Sequence, residues 1–127
     1  MRDALIVFFG AGIGGVCRHL ANLGATRALG AAFPWGVALV NVTGCFAMGV
    51  LTAWLALRAG TAWAPQARLF AATGVLGGYT TFSAFSLDFA TLVERGQAAA
   101  AAAYVLGSVG VSLIAVVAGL ALARAIA

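Results

Sequence analysis

The ten residues Gly77–Ser86, "GGYTTFSAFS", hold two glycines, four serine and threonine hydroxyls and three aromatic rings. They lie inside a long apolar run, where a lipid-spanning helix would carry none of this. From Arg68 to Gly78 is ten residues, or ~15 Å of helix, about half the ~30 Å hydrocarbon core. A break placed there falls near the bilayer midplane. Adjacent glycines followed by Tyr79, Thr80 and Thr81 favour a local loss of helix, since glycine weakens helix interiors and β-branched residues add little support. Unwound backbone at that depth is tolerated only when buried in protein or lining a wet cavity. Carbonyls exposed there can coordinate a cation, as broken helices do in transporters.

The rest of the chain agrees with a membrane setting. Of 127 residues, 64% are hydrophobic and 8% charged, whereas soluble domains carry about a quarter charged residues. An all-α integral membrane protein is expected. Seven arginines, no lysine and three acids give a net charge of +4. The arginines are scattered near the ends of apolar runs, where they mark membrane boundaries. No basic patch for nucleic acid forms. Cys17 and Cys45, 28 residues apart, do not have metal spacing and read as buried apolar thiols. The start "MRDALIVFFGAGIGG" resembles a secretory leader, but its apolar pattern runs on too far.

Four apolar segments are long enough to span at ~20 residues each, about 4–25, 34–57, 68–93 and 97–123. Together they make residues 1–127 a single four-helix transmembrane domain, with the third helix broken. Arg2, Arg58, Arg68 and Arg124 fall on one side, Arg27 and Arg95 on the other, with Arg18 able to snorkel toward the second. This weak bias fits a chain that inserts both ways round, so that opposed copies pair. It equally fits a fixed topology with little charge asymmetry. Gly10 and Gly14, like Gly74 and Gly78, have the small-xxx-small spacing that lets helices approach closely. In an antiparallel pair, the midplane is the one depth at which an element meets its own twin. A break there would give a shared two-fold cation site made of carbonyls.

An anion path can be drawn from the remaining polar groups. At 100° per residue, Phe82, Phe85 and Phe89 fall within about 60° on one helix face, with Thr80 and Ser83 opposite. A phenyl edge is positive and attracts an anion without carrying charge. A fixed arginine would hold the ion too tightly to release it. Asn41 brings amide donors, and Tyr104, Ser108 and Ser112 repeat at i, i+4 and i+8 as one polar track. Each has a plainer reading as helix packing or back-bonding.

Three motifs, "GAGIGGVCRHL", "NVTGCFAMG" and above all "GVLGGYTTFSAFSLD", resemble the Fluc (CrcB-type) family of fluoride channels over essentially the full length. Ala84 is a mild departure from the family's more common Thr. The resemblance implies a fluoride-selective ion channel, exporting toxic fluoride passively across the cytoplasmic (inner) membrane. It implies an antiparallel, dual-topology homodimer with two pores and a central structural sodium ion. The main-chain carbonyls of Gly77 and Thr80 match the sodium ligands. Phe82, Phe85, Asn41, Tyr104, Ser108 and Ser112 match the residues lining the path, and Arg18 matches the family's first-helix arginine at a pore vestibule.

Two alternatives compete. A small multidrug-type transporter shares the dual-topology dimer but needs a carboxylate deep in its first span, and that span has no acid beyond Asp3. A membrane hydrolase would draw on Ser86, Asp88 and His19, but these residues form no nucleophile, base and orienting group. The chain does not read as an enzyme.

Overall fold

The computed structural model describes residues 1–127, and every regular element in it is helical. Helix α1 covers Arg2–Leu29, α2 Trp35–Ala56 and α6 Ala98–Ala125. These three are long and apolar enough to cross a membrane. Between α2 and α6 the chain runs through α3 (Ala64–Ala67), a π-helix (Arg68–Leu76), α4 (Gly77–Tyr79) and α5 (Phe82–Glu94). The expected span over 68–93 is therefore not one helix.

Helix ends follow from local chemistry. At φ 85°, a region open to glycine without Cβ strain, Gly30 closes α1 by donating its N–H to the Thr26 carbonyl at 2.9 Å. Thr81 caps α5, its hydroxyl oxygen accepting from Ala84 N at 3.2 Å. The aromatic and basic residues after α2 collect at one end. Arg58 stacks 4.0 Å over the Trp54 ring, and Trp54 lies 5.6 Å from Trp63, a group suited to the headgroup level.

Packing depends on backbones that touch. Helix α1 runs along the π-helix and α4, and α2 along α6. A Cβ added to Gly74 would sit 2.9 Å from Gly10 Cα, and one on Gly14 would strike the Val75 carbonyl. At the α2–α6 crossing, a Cβ on Gly49 would meet Val116 O and one on Gly119 would meet Phe46 O. Lipid tails are as apolar as leucine, so tight van der Waals contact between small residues has to hold such helices together. The paired glycine spacings of the sequence thus serve one intrachain interface. The buried apolar cluster is small: Val37, Phe85, Leu92, Ala101 and Tyr104. Large apolar side chains such as Phe8, Phe9, Leu106 and Ile114 point outward.

Candidate functional site

The break is real but lies two residues beyond the glycines. Gly77 opens α4 in helical conformation, whereas Thr80 (φ −80°, ψ 160°) and Thr81 (φ −154°, ψ 126°) are extended. Gly78 serves packing instead: a Cβ there would sit 2.9 Å from Ala11 Cα. Breaking a helix away from water leaves backbone groups that need partners. Thr80 N still donates to Leu76 O at 3.0 Å. Its carbonyl accepts from Arg18 Nη1 at 3.3 Å. The next peptide is met by one side chain: Thr81 N donates to Asn41 Oδ1 at 2.8 Å, and Asn41 Nδ2 donates to Thr81 O at 3.0 Å. An amide side chain here replaces the backbone ladder.

Helix α2 can approach because Gly44 faces the break, where a Cβ would overlap Thr80 Cγ2. The hydroxyls of Thr43 and Tyr79 pair at 3.0 Å. Diverting Thr81 N–H to Asn41 deprives the Gly77 carbonyl of its ordinary i+4 donor. Both the Gly77 and Thr80 carbonyls thus leave the helical ladder. Both are hard oxygen donors of the kind an alkali cation takes, and Arg18 engages only one of the two lone pairs on Thr80 O. The donor set fits such an ion.

Beside the break opens a cleft of about 270 Å³, lined by Asn41, Cys45, Thr80, Thr81, Phe82, Phe85, Ser108, Val109, Ser112 and Leu113. The structure therefore brings together Asn41, Phe82, Phe85, Ser108 and Ser112, five of the seven residues expected on an anion path. Phe82 and Phe85 have ring centroids 5.5 Å apart and planes at 42°. Their settings differ sharply: Phe82 is 79% exposed and Phe85 only 8%. Phe89, expected on the same stripe, lies outside this cleft against Ala102 and Leu106 in a separate apolar groove. Ser112 Oγ is fully buried and has no hydrogen-bond partner. No carboxylate, guanidinium or imidazole lines the cleft.

The other two residues are placed differently. Tyr104 is buried behind Phe85, with centroids 5.0 Å apart, and its hydroxyl donates to Asp88 Oδ2 at 3.0 Å. Asp88 in turn borders a second, more polar cavity of about 220 Å³, shared with Asn22, Thr26 and Arg95. Arg18 reaches the break through Thr80 O.

Sequence reasoning placed Thr81 in the break but missed its cap of α5 and its pairing with Asn41. A Thr at the start of an apolar helical run is a capping signal that could have found it. It also missed Cys45 as a cleft residue, although Cys45 stands four residues after Asn41 on the same helix face. The reading of both cysteines as buried fails. Cys17 is exposed and Cys45 half-buried, because α1 turns Cys17 away from the π-helix.

Comparison with known proteins fixes the family. Residues 5–120 match the family model described as "CrcB-like protein, Camphor Resistance (CrcB)". A protein of Methylobacterium nodulans named "Fluoride-specific ion channel FluC" is 54% identical over 125 residues, 98% of each chain. Proteins of the same name from Mesorhizobium japonicum and Rhizobium johnstonii are 52% identical over 126 residues and 49% over 127, covering 99% and 100% of each chain. The chain is a multi-pass membrane protein. It belongs to the CrcB family.

Proposed function

We propose that this chain is a fluoride-selective ion channel that lets fluoride leave the cell passively across the cytoplasmic membrane, lowering fluoride toxicity. The observation that carries the reading is the cleft at the helix break, lined by two phenylalanines, an amide and hydroxyls, without a charged side chain. Fluoride is small and tightly hydrated, so a path must replace its water with close donors. Asn41 spends one amide N–H and its oxygen on Thr81 and keeps a second N–H. Ser108 and Ser112 offer hydroxyls, and Phe82 and Phe85 offer positive ring edges. A guanidinium 4 Å from the ion would add about 4 kcal/mol at a partly screened site. That would slow release by roughly a thousandfold. A chargeless wall avoids the trap. The names borne by the relatives support the choice of ion.

In this reading the segments from Ala64 to Glu94 act together as a fourth, broken span beside α1, α2 and α6. Two copies assemble antiparallel, inserted in both orientations, with two paths per homodimer. The exposure of Phe82 supports a neighbouring subunit closing the cleft. A sodium ion at the dimer centre, held by the Gly77 and Thr80 carbonyls of each copy, would stabilise two facing breaks and is not itself transported. Arg18 stands beside it on the Thr80 carbonyl.

Flux from proteoliposomes tests the function. Purified protein should release fluoride quickly and electrogenically, with chloride far behind. Equal fluoride and chloride rates, or no fluoride release from verified, assembled protein, would overturn it.

A further inference from the structure

We propose that Cys45 forms part of the wall of the ion path, as a sulfhydryl donor beside Asn41, Ser108 and Ser112, and that modifying this thiol closes the path. The inference rests on reading the cleft as the fluoride path and adds a residue to it.

The register of α2 carries it. Asn41 is fixed to the break by two hydrogen bonds of 2.8 and 3.0 Å to one peptide, which sets the rotation of the helix. Cys45 follows at i+4 and so lies on the same face. Gly44 on one flank packs against Thr80, and Gly49 further along packs against Val116 of α6, leaving little freedom to turn that face away. Cys45 accordingly lines the cleft and is half-buried. A second observation points to a ligand at the same wall: the fully buried Ser112 hydroxyl has no partner within the chain. A thiol S–H is a weak donor, suited to a path made of weak sites.

Cys17 supplies the contrast. It is exposed on α1 in an apolar groove with Phe9, Ile13 and Val16. Cys17 lies away from the break, so a group added there leaves the cleft open. Cys45 lines the cleft itself.

Methyl methanethiosulfonate is the probe. The Cys45 thiolate attacks the methylthio sulfur, a new S–S bond forms, and methanesulfinate leaves with the electron pair of the broken S–S bond. The product places a methylthio group inside the cleft.

The experiment treats proteoliposomes holding the parent chain, C17S or C45S, then measures fluoride release and the mass of each chain. C17S should gain one methylthio group, on Cys45, and lose fluoride flux, and the parent should lose it too. C45S keeps a hydroxyl donor at the wall; whatever its own rate, treatment should not change it, and high fluoride should slow labelling of C17S. Unlabelled C17S, or labelled C17S that still conducts fully, overturns the inference while leaving the channel reading intact. Should C45S not assemble, C45A takes its place, and treated C17S compared with untreated C17S decides. If the untreated parent releases no fluoride, the reading of the cleft fails, and the inference falls with it.

Discussion

Asn41 and Thr81 exchange two hydrogen bonds across 40 residues of sequence, amide oxygen to backbone N–H at 2.8 Å and amide N–H to backbone carbonyl at 3.0 Å. The pairing explains how a helix can stop inside an apolar protein. Each unpaired backbone group away from water costs roughly 1–3 kcal/mol, and lipid offers no replacement partner. Asn41→Leu keeps the side-chain volume and orphans both groups. It should lower stability by roughly 2–6 kcal/mol, measured by unfolding in detergent micelles. Thr91→Val, which removes an exposed back-bond to Leu87 O at 2.9 Å away from the break, should cost far less. Equal stability of N41L and the parent would show that the break is held by something else.

The two phenylalanines of the cleft should separate by stability and agree in flux. Phe85 is buried against the Tyr104 ring at 5.0 Å, a contact worth roughly 0.5–1.5 kcal/mol beyond area. Phe82 is largely exposed. Replacing either with Ile removes the positive ring edge and should slow fluoride flux while the dimer stays assembled. Only F85I should also unfold more easily. Parent-like flux in both assembled variants would make the rings mere packing and move the path elsewhere.

Much of this was legible in sequence because membrane constraints are strong. Apolar length placed α1, α2 and α6, and the i, i+4, i+8 repeat placed Ser108 and Ser112 on one face. The stretch that breaks was legible, but the residues within it that leave the helix were not. Glycine pairs loosen a helix, but Gly74 and Gly78 also let α1 approach, and packing won. The loss of helix moved to Thr80 and Thr81, where a side chain from α2 could satisfy the exposed peptide. Such a long-range partner leaves no local signature. Tyr104 shows the same limit: its spacing fits the track, yet its hydroxyl is committed to Asp88 at 3.0 Å.

The glycine interface gives a contrast within one helix. A Cβ on Gly14 would strike Val75 O and the backbone of Tyr79, while Gly12 has open space around its Cβ position. Gly14→Ala should destabilise by roughly 1–3 kcal/mol through overpacking. Gly12→Ala should be neutral or stabilise by up to about 1 kcal/mol through helix propensity, unless a second subunit occupies that face. Thermal unfolding in micelles distinguishes the two, and loss of dimer in G12A alone would place Gly12 at the subunit interface.

Orientation follows from charge. Arginines are nearly balanced between the two sides, so neither orientation is strongly favoured. A C-terminal tag probed with impermeant reagent should be accessible from both faces of native membranes. A single orientation would exclude the antiparallel pair. Adding two arginines to the short link after Glu94 should bias insertion one way and lower the yield of functional dimer.

The central ion gives the last test. The carbonyls of Gly77 and Thr80 are the proposed ligands, so side-chain chemistry should matter less than backbone conformation. Thr80→Ser keeps the hydroxyl that donates to Leu76 O at 3.0 Å and leaves the extended peptide unchanged. T80S should therefore assemble and conduct like the parent in sodium. Replacing sodium on both sides with N-methylglucamine, a cation too large for a carbonyl cage, should reduce fluoride flux in both proteins, and returning sodium should restore it. Arg18 sharpens the result. Its guanidinium lies 3.3 Å from the Thr80 carbonyl, where its charge opposes a neighbouring cation. Arg18→Gln should therefore restore flux at lower sodium than the parent requires. Full flux without sodium or any substituting cation, in dimers verified by cross-linking, would show that Arg18 and the protein backbone hold the break without an ion.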